Sequence, residues 1–251
     1  TKKTRAIIAT HIYNFPVDID KIIKICKKYK IFLIEDAAEV IGQKYKNKMC
    51  GSFGDISTFS FYANKQITTG EGGMISTNNP KIYQKCKSLR NLCFGVKDRF
   101  NHDDLGWNYR ISNIQAALGL SQLKRIKKIV KRREYIGKQY YKKLCINKNI
   151  QILKPVCSFA KNIYWVVGLV IKNNISAKTL AKRLNKYGIQ TRPFFWPMHK
   201  QTILRKMGLF KGEKYPNSEY LSKYGLYLPS SLSLKSKQIS FISKKVNEII
   251  K

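Results

Sequence analysis

Residues 31–42 read IFLIEDAAEVIG. A short apolar run ends on two carboxylates, Glu35 and Asp36, and gives way to small Ala37 and Ala38. Such a run, bounded by polar and small residues, predicts a buried strand that stops at Asp36. Upstream, RAIIATHI at 5–12 predicts another strand. Between them Asp18 is placed to cap a helix reaching about Lys30, with Ile19, Ile22, Ile23 and Ile25 as its apolar face. Strand, helix, strand in this order predicts a βαβ unit in a parallel sheet. Ligands of open α/β sheets bind beyond the carboxyl ends of the strands, where Asp36 stands. By itself Asp36 reads more readily as a turn or helix cap.

Further along, residues 51–73 read GSFGDISTFSFYANKQITTGEGG. Strands are expected at 55–62 and 73–77, with Lys65 just past the end of the first. Gly70, Gly72 and Gly73 suit a backbone that turns tightly or lets a ligand approach. A lysine there can form a Schiff base when burial or a nearby cation lowers its pKa. Ser60 is placed to hydrogen-bond a phosphate. Taken alone, this segment is also a plain strand, a glycine turn and an exposed lysine.

Helices are expected at about 80–91, opened by Pro80, and as one long helix at 112–144. Asn, Lys and Pro155 interrupt the pattern at 145–160 and mark a domain boundary. Beyond it come a strand at 163–171, a helix at 176–187, an extended segment at 189–195 and a terminal helix at 235–250. The expected fold class is α/β, with a smaller α/β C-terminal domain.

The net charge is +35 over 251 residues. Such a charge raises a nucleic-acid reading, but the lysines are spread along the whole chain without a basic tail. Clusters at 124–128 and 131–133 fall on one expected helix, and charge of this kind gives mainly non-specific attraction. No specific nucleic-acid partner is expected; the field equally favours an anionic small substrate. No apolar run is long enough for a membrane span, and TKKTRAIIATHIY is not a signal peptide. The six cysteines form no CxxC pair and the histidines at 11, 102 and 199 are far apart in sequence. That spacing predicts no metal site, reduced thiols and a cytoplasmic location.

Asp36, Ser60 and Lys65, in the stretch 34–77, together resemble the DegT/DnrJ/EryC1/StrS family of sugar aminotransferases. DLGWNYRISNIQAALGLSQL (104–123), HIYNFPVDID (11–20) and GIQTRPFFWPMH (188–199) are similar to that family too. The resemblance covers nearly the whole chain. It implies the aspartate aminotransferase-like fold (fold type I), with residues 1–145 in the large cofactor-binding domain and 146–251 as the small domain. It implies pyridoxal 5′-phosphate as cofactor, held by Lys65, with Asp36 at the pyridine nitrogen, where its charge lets the ring act as an electron sink. Ala38 and Glu39 are then cofactor contacts, Glu39 near the ring hydroxyl, and Ser60 binds the phosphate. Asn108 and Arg110 fall in a loop that reaches a neighbouring subunit's site, Asn108 as a phosphate contact, which implies a homodimer with shared sites. Arg192 through His199 approach the sugar nucleotide; Phe194, Phe195 and Trp196 there read equally well as core aromatics.

The implied reaction moves an amino group from L-glutamate to a keto sugar nucleotide, for O-antigen or other glycan biosynthesis. Lys65 carries the proton in both halves. A lysine at 65 argues against the related branch that uses histidine there and dehydrates sugars. The motifs are most similar to the branch that aminates GDP-4-keto-6-deoxymannose. The resemblance also leads us to expect that a family member's first third, with a phosphate-cradling segment and a ring-stacking aromatic, precedes Thr1. An inactive fragment or regulatory relative keeping the fold is the alternative, and a basic nucleic-acid binder a more distant one.

Overall fold

β1 (Ala6–Thr10), α1 (Ile19–Tyr29) and β2 (Phe32–Asp36) form the expected βαβ unit, with β1 and β2 parallel and Thr10 in register with Asp36. This computed structural model describes residues 1–251 except Asn14 and Val96. Asn14, inside the HIYNFPVDID stretch, therefore lies outside the described residues. Asp18 stands at the helix start without capping it. Its carboxylate instead accepts from the Tyr45 hydroxyl (2.8 Å) and pairs with Lys21 (3.0 Å). Ile19, Ile22 and Ile23 pack into the core as expected. Ile25 is exposed and Cys26 is buried in its place, because the helical period brings position 26 back to the face of 19, 22 and 23. Lys30 closes the helix in the left-handed region (φ 51°).

β3 (Lys44–Tyr45) and β4 (Lys48–Met49) make a small hairpin. Lys46 and Asn47 both have positive φ, the requirement of a two-residue turn matching strand twist. β5 (Ile56–Ser60) runs parallel to β2, and β6 (Gly73–Ser76) antiparallel to β5, so the sheet order is β1-β2-β5-β6. The sheet is thus mostly parallel with one reversed edge. α2 (Pro80–Arg90) is capped by Asn79, whose side chain accepts from the N–H groups of Lys81 and Ile82. α3 (Asn113–Leu123) opens with a Ser112–Gln115 capping box. α4 (Ile126–Leu144) follows at once. The expected continuous helix over 112–144 is therefore two: at Arg125 the backbone N–H bonds to Gln122 O, three residues back, which ends the ladder.

The chain divides into two units, residues 1–131 with 156–165, and residues 132–155 with 166–251. In the second unit, β7 (Ile150–Ile152), β8 (Val167–Ile171), α5 (Ala177–Asn185), β9 (Arg192–Pro193), α6 (Thr202–Lys206), α7 (Pro216–Tyr224), β10 (Gly225–Leu228) and α8 (Ser236–Ile249) follow in order. Its four strands form an antiparallel sheet, β7-β8-β10-β9. β8 is buried at every position, as its unbroken VGLVI run demands. The strand expected from Ile163 starts only at Val167, and Ile163–Trp165 pack with the first unit.

Candidate active site

Glu35 and Asp36 end β2 and, as neighbours on a strand, point to opposite faces. Glu35 is wholly buried and braces the loop before β5, accepting from Phe53 N–H (2.9 Å), Gly54 N–H (3.3 Å), Gly51 N–H and the Ser57 hydroxyl. It also pairs with His11 Nε2 at 2.8 Å, while His11 Nδ1 accepts the Val17 N–H. The His11 tautomer with the proton on Nε2 satisfies both contacts. Burial works to raise the Glu35 carboxyl, but these donors, His11 first, outweigh it and hold it below the usual carboxylate range. Cys50 joins this cluster, its ligand atom and those of His11 and Glu35 lying within 4.8 Å of one another. Sequence separation concealed that grouping. Both imidazole nitrogens and both Glu35 oxygens already serve the fold, and burial pushes the Cys50 thiol up to about 12, so the cluster is a structural brace.

Asp36 faces the other way. Its Oδ1 accepts the Ala38 N–H (3.1 Å), and the Ala37 N–H donates to Thr58 O (2.9 Å) on β5. This turn ends the strand and carries the chain to Glu39. Glu39 is buried and accepts the Tyr13 N–H at 2.9 Å. Burial pushes its carboxyl up to about 7, against the Tyr13 N–H and the charge of Lys65.

Lys65 leaves the loop after β5, with a side chain 11% exposed. Its Nζ lies 4.0 Å from Glu39 Oε1. Burial lowers its pKa, while the charges of Glu39 and Asp36 work to raise it. Desolvation thus drives both members of the Lys65–Glu39 pair toward their neutral forms. Shifts of this kind, from desolvation beside a charged partner, are what functional sites commonly show.

The loop is built to hold Lys65 still. Phe61 N–H donates to Gly72 O, and the Thr69 N–H and Thr68 hydroxyl donate to Phe61 O. Gly72 has φ +141°, which explains the glycine there. From α3, Gln122 clamps Thr68 at two points, accepting its N–H (3.1 Å) and donating to its carbonyl (2.7 Å). Gln66 Nε2 donates to the Glu39 carbonyl (2.6 Å), tying the lysine loop to the Asp36–Glu39 turn.

The structure therefore brings Asp36, Ala38, Glu39 and Lys65 to one sheet edge. Ser60 ends β5 two residues beyond Thr58, which is in register with Asp36, and its Oγ accepts the Tyr62 N–H (3.2 Å). Asn108 and Arg110 form an exposed pair, Arg110 Nε donating to Asn108 Oδ1 (2.9 Å). Arg192 and His199 belong to the second unit. Arg192 is exposed on β9. His199 is buried there, bonded to Glu219 (3.0 Å) and packed on Tyr215. Of the aromatics beside them, Phe194 is a core residue against Gly168 and Gly225, whereas Phe195 and Trp196 are exposed. Sequence reasoning missed Gln66, Gln122 and the buried Trp165, whose ring faces Lys65 Nζ at 4.1 Å.

A desolvated lysine amine within the field of a strand-end aspartate, with a serine hydroxyl on the next strand, is a donor set that fits a phosphorylated pyridine aldehyde. The fold is that of the pyridoxal-phosphate-dependent sugar aminotransferases. Residues 1–247 match the DegT/DnrJ/EryC1/StrS aminotransferase family, and the chain belongs to that family. It is 39% identical over 251 residues to GDP-perosamine synthase of Escherichia coli O157:H7, covering 99% of this chain and 66% of that protein. It is 36% identical over 243 residues to GDP-perosamine synthase of Vibrio cholerae, covering 96% of this chain and 65% of that one. Helicobacter pylori PseC, an aminotransferase involved in the biosynthesis of pseudoaminic acid, superposes with a TM-score of 0.93 at 27% identity, covering 100% of this chain and 68% of PseC. The chain spans about two thirds of the length of the curated relatives it matches. Among the described residues, no helix is long and apolar enough to cross a membrane.

Proposed function

We propose that this chain carries the catalytic lysine of a sugar-nucleotide aminotransferase that moves an amino group from L-glutamate to C4 of GDP-4-keto-6-deoxymannose. The observation that carries it is the buried Lys65 amine 4.0 Å from Glu39, within the field of Asp36. The names of the two GDP-perosamine synthases support the choice of sugar. Bound pyridoxal phosphate supplies the electron sink that stabilises charge at the substrate carbon. Asp36 would hold the pyridine nitrogen and favour its protonated form. Ala38 would leave room for the flat ring, Glu39 would contact the ring hydroxyl, and Ser60 would bind the phosphate. Lys65 would hold the cofactor and, when free, act as the base and acid that moves the proton at the donor Cα. Burial lowers its pKa, which favours the free base that this proton transfer needs.

Asn108 and Arg110, exposed on their loop, suit a role in a neighbouring subunit's site within a homodimer. Arg192 and His199 are assigned to the sugar nucleotide. The high positive charge favours encounter with that anionic substrate, and no specific nucleic-acid partner or membrane is invoked. In this reading residues 1–145, joined by the 156–165 segment, serve the cofactor, the rest of 146–251 forms the small domain, and the enzyme works in the cytoplasm. The test is to incubate the chain with pyridoxal phosphate, L-glutamate and GDP-4-keto-6-deoxymannose and to follow the sugar by mass spectrometry. Conversion of the keto group to an amine, absent in Lys65→Ala, is expected. Because the chain spans about two thirds of its relatives, the assay is repeated with the part of a relative that lies outside the match supplied by fusion. No amination in either form would contradict the activity and favour a relative that keeps the fold alone.

A further inference from the structure

Trp165 packs within the same unit as Lys65 and is 3% exposed. Lys65 Nζ stands 4.1 Å from the centroid of its ring. Its indole N–H donates to the Asn64 carbonyl at 3.0 Å, the peptide group that leads into Lys65. One side chain therefore fixes the backbone at Lys65 and presents an aromatic face to the amine. That face carries the negative side of the ring quadrupole, which attracts an ammonium and not a neutral amine.

We propose that Trp165 is a positioning residue for Lys65, its π-face stabilising the protonated amine whenever Lys65 is not bonded to the cofactor, and its N–H aiming the lysine backbone. The inference rests on the reading of Lys65 as the cofactor-bearing residue. Glu39, Asp36 and the indole face all favour the ammonium against burial. The indole does so without bringing a further titrating group into the site. A lysine that must carry a proton between two carbons needs a resting place for its charged form, and Trp165 provides it without withdrawing a hydrogen-bond donor from Nζ.

The test measures the Lys65 titration directly in the full chain without cofactor. Competitive acetylation is run across pH, and the extent at Lys65 is read from the mass of the peptide that contains it. Wild type, Trp165→Phe and Trp165→Leu are compared. Leucine keeps apolar bulk and removes the π-face. The expected result is a titration midpoint lower by about half a pH unit or more in W165L, with W165F between it and wild type. An unchanged or raised midpoint in W165L overturns the proposal, since Trp165 would then only exclude water. Should circular dichroism show W165L unfolded, W165F decides in the same way: a lower midpoint supports the role and an unchanged or higher one overturns it. In parallel, borohydride fixation of pyridoxal phosphate to the wild-type Lys65 peptide tests the cofactor reading. The midpoints decide the role of Trp165, and fixation decides that of Lys65.

Discussion

Lys65 Nζ and Glu39 Oε1 face each other at 4.0 Å in a nearly water-free corner, and burial drives each toward its uncharged form. Two ionisable groups that burial drives toward their neutral forms can exchange a proton with a ligand that reaches them. In Glu39→Gln the carboxylate that helps keep Lys65 protonated is gone. The Lys65 titration midpoint, read by competitive acetylation, is expected to fall, and an unchanged midpoint would mean that the pair does not interact.

The same carboxyl makes folding depend on pH. Its folded pKa of about 7 lies above its ordinary 4.5, so the fold favours the protonated acid. Its stabilising effect is fully present below about 4.5 and declines as pH rises toward 7. Urea denaturation across that window is expected to show wild type losing stability relative to Glu39→Gln as pH rises. Parallel curves would show that Glu39 ionises as freely folded as unfolded.

Glu35 is predicted to carry much of the stability of the first unit. Glu35→Ala leaves the N–H groups of Gly51 and Phe53, and His11, without their carboxylate. A loss of about 3 kcal/mol or more in urea denaturation is expected, because several buried N–H donors lose one charged acceptor together. Because its folded pKa is depressed, its stabilisation is present above the ordinary value of 4.5 and is lost as pH falls through the folded one. A loss under about 1 kcal/mol would mark the brace as replaceable.

Gln122→Ala tests whether the lysine loop is held from α3. It removes both contacts to Thr68, and a cost of about 1–2 kcal/mol is expected. The sharper readout is hydrogen exchange: the amides of Thr68 and Thr69 should lose protection while those of β2 keep theirs. Unchanged exchange in the loop would show that its own turns suffice.

Much of this arrangement is legible in the sequence because strands and their ends are local signals. IFLIED announces β2 and its polar terminus, and the glycines after Lys65 announce a turn whose Gly72 has positive φ. The break between α3 and α4 was not legible, since no glycine or proline marks Lys124 or Arg125. β10 was missed because its GLYL run is only four residues long and directly follows a helix. Trp165 was read as part of a strand: 101 positions separate it from Asn64, and nothing in IYWVVGLVI says which loop its ring will meet. His11, Glu35 and Cys50 were hidden for the same reason. Long-range partners are products of topology, which a linear pattern does not encode.

The most direct test of the central claim is an absorbance spectrum of the purified chain with added pyridoxal phosphate, beside Lys65→Ala, before and after L-glutamate. The account predicts a protein-bound cofactor band that requires Lys65 and shifts to shorter wavelength when glutamate is added. The same spectrum from wild type and Lys65→Ala, with the relatives' unmatched part fused as well as without it, would contradict it.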